Sequence, residues 1–166
     1  PVVDVNLHPD VNTIKDRSFG PDKNLVADYG SAVMRGMQDG GVVACAKHFP
    51  GHGDTEVDSH KALPVLKFPK ERLDSVELYP FRRLIKDGVE MVMVGHLLVP
   101  VLDTLPASVS KVVVTDLLRK KMKFRGLIIT DALGMEGVLE PFGGSGAKAT
   151  LAAYKAGVDI LLMPDN

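Results

Sequence analysis

Lys47 to His60 reads KHFPGHGDTEVDSH and gathers three of the chain's five histidines with Asp54, Glu56 and Asp58. Pro50, Gly51 and Gly53 deny this stretch a continuous helix or strand. Titratable groups on irregular backbone behind an apolar run are how enzymes hold acid/base chemistry on a rigid support. Asp58 and His60 stand two apart, within reach of a hydrogen bond in which the carboxylate fixes one imidazole nitrogen. The other nitrogen is then left to move a proton near neutral pH. A loop-stabilising hydrogen bond is the structural alternative. Asp131 follows the apolar run Gly126-Leu127-Ile128-Ile129-Thr130 directly. At a strand exit such a carboxylate is a nucleophile or general base, or else a helix N-cap. Lys47 and Arg17 are cationic donors suited to hydroxyls, carboxylates or phosphates, Arg17 lying just before the turn-rich Ser18-Phe19-Gly20-Pro21. Asp54 and Thr55 read as a turn closed by side-chain to backbone bonds. His48, His52 and His60 offer a loop-built zinc site as a rival. Against it, the broken backbone forbids a helical H-x-x-x-H pair, and Phe49 stands where H-E-x-x-H needs glutamate.

These residues need elements to position them. Five short apolar runs recur, at Val2–Val5, Val42–Ala46, Val89–Val94, Leu127–Thr130 and Asp159–Met163. They lack alternation, as strands covered on both faces do in parallel sheets. Helical patterns lie between them. Leu25, Tyr29, Val33 and Met37 form one stripe ahead of Gly40-Gly41. Tyr79, Phe81, Leu84 and Ile85 form a second that ends at Gly88. Val113, Leu117, Leu118 and Met122 form a third, and Ala149, Ala152, Ala153 and Ala156 a fourth that closes at Gly157. The α/β alternation predicts a parallel sheet with right-handed crossovers, either doubly wound or a (β/α) barrel. Gly143-Gly144-Ser145-Gly146 follows no strand, so the phosphate loop of a dinucleotide fold is missing. Asp4, Asn6, Lys47, His48, His96, Asp131 and Asp165 all fall at or just past strand C-termini, which in a barrel share one mouth. A (β/α)8 TIM-type barrel is therefore expected. A whole one takes about 250 residues, so residues 1–166 read as a partial catalytic barrel of about five strands, its N-terminal strands and final unit absent.

Composition agrees with a globular domain: 166 residues, 45% hydrophobic, 25% charged, net charge −1. The only like-charge block, Arg119-Lys120-Lys121, lies within an amphipathic pattern and reads as a solvated helix face, so a nucleic-acid partner is not expected. No apolar run approaches the roughly 20 residues that span a bilayer. Cys45 stands alone between Ala44 and Ala46, a small hydrophobe rather than part of a disulfide framework.

As a set, the motifs resemble family 3 glycoside hydrolases, in the branch of bacterial β-N-acetylglucosaminidases (β-N-acetylhexosaminidases) that process cell-wall fragments. KHFPGHGDTEVDSH, ITDALGM at Ile129–Met135, RSFG from Arg17 and LLMP at Leu161–Pro164 carry the likeness, in the family's order. The resemblance implies a retaining exo-β-N-acetylglucosaminidase acting on muropeptide-type substrates. By it, Asp131 is the nucleophile, His60 paired with Asp58 is the acid/base, and Arg17, Lys47 and His48 hold sugar hydroxyls. No metal or other cofactor is implied. Replacing the usual second carboxylate by histidine lowers repulsion toward an incoming anion, so phosphorolysis at the same site stays open beside hydrolysis. A metal-dependent hydrolase built on His48, His52 and His60, or a noncatalytic sugar-binding module, competes with both. The expected partners are a carbohydrate substrate and the remainder of the barrel, without which the isolated piece is expected to be unstable or inactive. Muropeptide recycling implies a cytoplasmic location, or an exported one if a leader has been lost.

Overall fold

The computed structural model describes residues 1–8, 14–55 and 62–164. Its sheet has three parallel strands, β1 (Cys45–Phe49), β2 (Met91–Val94) and β3 (Leu127–Thr130), in that order. Single parallel bridges extend both edges, Val2 beside Lys47 and Ile160 beside Ile129. Bonds from Val3 N to Lys47 O (2.8 Å) and from Thr130 N to Ile160 O (3.1 Å) hold these flanking segments. Among the described residues, five parallel segments therefore follow one another in chain order, without the reversal of direction across the sheet that marks a doubly wound fold.

Two expectations change. The first and last apolar runs form single bridges, not strands of the predicted length. The second run pairs three residues later than expected, because Val42 N bonds Met37 O and completes the end of the preceding helix. The β2–β3 ladder is regular from Met91↔Leu127 to Val94↔Thr130. In β1 the register slips between Ala46 and Phe49, so three steps on β1 face two on β2. Such a bulge re-aims side chains, and it falls on Lys47 and His48.

Helix α1 (Lys23–Asp39) is capped by Asp22, whose side chain accepts from Asn24 N and Leu25 N. Its buried face is Val26, Ala27, Gly30, Ser31 and Met34. Of the stripe picked by periodicity, Leu25, Tyr29 and Val33 are exposed by 46, 53 and 42%, and Met37 alone packs against the core. Close approach to the Val2–Val5 segment explains the choice: a Cβ on Gly30 would lie 2.6 Å from Val3 Cγ1. Small residues therefore make the closest contact, flanked by the buried Val26 and Met34, and Leu25, Tyr29 and Val33 are left outside.

Helix α2 spans 70–86. Leu73–Glu77 winds as a π-helix between α-helical Lys70–Arg72 and Leu78–Lys86. The widened turn buries Glu77 beside Leu73, and Phe81 meets Phe49 edge to face at 5.2 Å. Helix α3 (Val112–Lys121) is also π-wound and buries Val113, Val114, Leu117 and Leu118. A short α4 (Glu136–Leu139) precedes α5 (Gly146–Ala156), which begins at the Ser145 cap and ends at Gly157 with φ 100°. The predicted second, third and fourth helices thus lie where the pattern put them. Lys120 pairs with Asp116 on the exposed face of α3, whereas Arg119 turns back to bond Phe124 O, Gly126 O and Asp159.

Ala46, Val92, Val94 and Ile128 join the helices in one core. Their alternates Cys45, Lys47, Met91, Met93 and Ile129 are only half-buried. The strands are apolar on both sides, as read from the sequence, but among the described residues only one side is fully covered. Among those residues no helix is long and apolar enough to cross a membrane.

Candidate active site

The parallel register brings the strand exits into one layer. Gly95 N bonds Phe49 O and Asp131 N bonds Val94 O, both at 2.9 Å. Asp4, one residue past the Val3–Lys47 hydrogen bond, His48 at the end of β1, His96 after β2 and Asp131 after β3 therefore line one edge of the sheet.

Asp4 is fully buried. Its Oδ1 accepts from the backbone amides of His48 (3.0 Å) and His52 (2.7 Å), and its Oδ2 lies 2.8 Å from His48 Nδ1. Burial pushes this carboxyl up, but the combined pull of the His48 imidazole and of bonds from His48 and His52 leaves it below the usual carboxylate range. It is thus an ionised acceptor in the interior, made tolerable by three donors. Its own carbonyl accepts from Ser18 Oγ at 2.7 Å, and Asn6 bonds Lys15 O and Gly20 O through its side chain and backbone. These contacts hold the Arg17 turn against the segment that carries Asp4 and Asn6. Arg17 itself is exposed on the 3₁₀ turn Lys15–Arg17.

The loop after β1 is packed on backbone. The Lys47–His48 and Phe49–Pro50 peptide bonds are cis. A Cβ at Gly53 would lie 2.1 Å from Val5 O, and one at Gly51 2.8 Å from Glu77 Cβ. Thr55 Oγ1 sits 2.6 Å from His52 Nδ1 and donates to His52 O at 3.1 Å, the turn closure expected for this segment. Asp54 takes a different part, accepting from Arg72 Nη2 at 2.8 Å, and the same nitrogen reaches Glu77 Oε1 at 2.9 Å. Burial pushes Glu77 up despite the arginine. Burial also lowers His52, against the opposing pull of Asp4 and, more weakly, Asp131.

His96 is fully buried, with Nε2 at 2.9 Å from Ala132 O and Nδ1 at 2.7 Å from Ser108 Oγ. A carbonyl can only accept, so Nε2 carries the proton, and in the neutral ring Nδ1 accepts from the serine hydroxyl. Burial lowers the pKa of His96, opposed by its bond to Ala132 and by Asp131. The neutral imidazole clamps the residue that follows Asp131. Asp131 is half-buried, and its Oδ1 accepts from Ala132 N at 2.8 Å. The helix-cap alternative does not apply to it: α4 begins five residues later, at Glu136.

Of the predicted site residues, Asp131 and His48 lie at the strand exits on one edge of the sheet, Lys47 is half-buried one residue before His48 within β1, and Arg17 lies on a turn fastened to the same edge. Asp58, His60 and Asp165 lie outside the described residues. The His48 and His52 rings are 5.9 Å apart between centroids, with one nitrogen of each committed to Asp4 or Thr55. Sequence reasoning missed the organising role of Asp4, the Ser108 partner of His96, and the Arg72–Glu77 support beneath Asp54. Alignment of Asp4 with His48 at strand ends was a usable signal for the first; pairings 12 and 18 residues apart leave none.

Parallel strands in chain order, with ionisable side chains gathered at their C-terminal edge, define an α/β domain carrying a strand-end site. The chain belongs to glycosyl hydrolase family 3: the model of that family's N-terminal domain matches residues 1–166. It is 39% identical over 163 residues to a beta-hexosaminidase of Hydrogenovibrio crunogenus, covering 98% of this chain and 45% of the relative. Among solved structures, a family 3 beta-N-acetylglucosaminidase from Paenibacillus sp. str. FPU-7 superposes with a TM-score of 0.93 at 43% identity, over 98% of this chain and 31% of that one. NagZ from Neisseria gonorrhoeae, in complex with N-trifluoroacetyl-D-glucosamine, gives 0.85 at 34% identity over 98% of this chain and 45% of its own. The chain thus spans less than half the length of each of these proteins.

Proposed function

We propose that this chain is the catalytic part of a retaining exo-β-N-acetylglucosaminidase that removes terminal N-acetylglucosamine from cell-wall muropeptide-type substrates, with a cytoplasmic location implied by recycling. The observation that carries the reading is Asp131, a half-buried carboxylate fixed at the β3 exit by Val94 O and the His96 clamp, in one layer with His48 and Asp4. Family membership and the names of the relatives supply the sugar class. In the first step an Asp131 oxygen bonds the anomeric carbon as the glycosidic C–O bond breaks, and His60, oriented by Asp58, gives its proton to the departing oxygen. Water then gives a proton to His60 and attacks the same carbon, releasing Asp131 with net retention. Arg17, Lys47 and His48 hold ring hydroxyls. The chain-order parallel segments and the half-covered apolar face of Cys45, Met91, Met93 and Ile129 support a (β/α)8 barrel to which residues 1–166 contribute one arc.

The test uses the full-length protein with a chromogenic β-N-acetylglucosaminide. Asp131→Ala is expected to lower kcat by on the order of 10³-fold or more. Proton NMR should show the β-anomer formed first. A slow fluorosugar substrate should leave an adduct on the peptide containing Asp131. An adduct elsewhere, or the α-anomer first, would overturn the assignment; loss of activity on dialysis against EDTA would favour the metal-dependent alternative.

A further inference from the structure

We propose that Asp4 is a positioning residue of the sugar pocket, one that fixes the tautomer of His48 and seats the His48–Thr55 loop. Asp4 offers two oxygens and meets three donors: the amides of His48 and His52 on Oδ1, and His48 Nδ1 on Oδ2. A carboxylate only accepts, so Nδ1 carries hydrogen and the neutral ring keeps Nε2 as an acceptor. The His48 side chain is 7% exposed, and that of Asp4 is fully buried. Asp4 therefore acts through His48, not on the substrate. That His48 uses Nε2 on a sugar hydroxyl rests on the proposed function; the tautomer does not.

Asp4→Asn tests this with little change in shape. The amide has one acceptor oxygen and one donor nitrogen. The two backbone amides can only donate, so they claim the oxygen, and the new NH2 faces His48 Nδ1. Donor then meets donor unless the ring moves its proton to Nε2. Nitrogen-15 spectra of histidine-labelled full-length protein, taken where the ring is neutral, read this directly. The expected result is a proton on Nδ1 in the parent and on Nε2 in Asp4→Asn, with kcat/KM lowered on the order of 10- to 100-fold, chiefly through KM. An unchanged tautomer in the variant overturns the proposal. So does a parent whose neutral His48 carries its proton on Nε2, which decides the matter even if the variant fails to fold. If the tautomer switches but the parent turns over no N-acetylglucosaminide, the function fails and the positioning role stands.

Discussion

Replacing Gly53 by alanine probes how tightly the active loop is seated. The added Cβ would lie 2.1 Å from Val5 O, 2.4 Å from Val5 C and 2.8 Å from Val5 N, all backbone atoms that no rotamer change can clear. Ordinary carbon contacts are about 3.5–4 Å, so loop and strand must separate by an ångström or more. The first bond to give is His52 N to Asp4 Oδ1, now 2.7 Å. Overpacking costs about 1–3 kcal/mol, and a bond to a charged group contributes about 1.5–3 kcal/mol. The variant should therefore lose roughly 2.5–6 kcal/mol, a large part of the 5–15 kcal/mol typical of a domain. Gly36 and Gly134 are the controls, each with nothing within 4 Å of an added Cβ. Gly36→Ala, on the exposed face of α1, should stabilise by about 0.5–1 kcal/mol, and Gly134→Ala should stay within about 0.5 kcal/mol of the parent. Urea unfolding of the full-length proteins, followed by circular dichroism, measures all three. Gly53→Ala within about 0.5 kcal/mol of the parent would refute the argument.

Arg72→Ala should cost about 3 kcal/mol or more, because it leaves the nearly inaccessible Glu77 without a cation and Asp54 with only the exposed His8, 3.2 Å from its Oδ1. Adding Glu77→Gln should recover part of that loss in a denaturation cycle, and no recovery would count against the shared-cation reading. The pH dependence of stability has a defined sign. His52 and His96 have folded pKa values lowered from the unfolded value of about 6.5, so the unfolded chain takes up protons first on acidification. Stability should fall as pH drops below about 6.5, by at most about 1.4 kcal/mol per pH unit for each group. Asp4 adds a second loss beginning near pH 4 and completed as its lowered folded value is passed. His96→Gln should flatten the first slope, and an unaltered slope would show that His96 is not responsible.

Helix α1 shows where periodicity misleads. Its most apolar stripe, Leu25, Tyr29 and Val33, is exposed, while a face containing Ala27, Gly30 and Ser31 lies against the sheet. Hydrophobicity marks a face that can be buried; the distance between helix and strand decides which face is. On α3 and α5 no such conflict arises, and Leu117, Leu118, Ala149 and Ala153 point inward as their spacing requires. The polar strand ends were legible because parallel strands place successive exits at one edge, so Asp131, His48 and His96 could be grouped before any coordinate was known. The same alignment put Asp4 level with His48, but it did not show which of their atoms bond. The bond between Asp4 and His48 joins residues 44 apart, and His48 lies in a β1 bulge that composition does not mark.

Asp4 and His96 meet the same difficulty, a titratable side chain in the interior, by opposite means. Asp4 keeps its charge and surrounds it with three donors; His96 gives up its charge and satisfies both nitrogens with a carbonyl and a hydroxyl. The outcome for pH is shared. Asp4 titrates below the usual carboxylate range, and His96 and His52 below the usual imidazole range. The supports of His48 and of the Asp131 turn thus hold one protonation state around neutrality. In the proposed mechanism, a limb of the kcat/KM profile at or above about pH 6.5 therefore belongs to groups that handle the substrate, not to these supports. Substitution of His60 should remove such a limb, whereas His96→Gln should lower the rate and leave the limb in place.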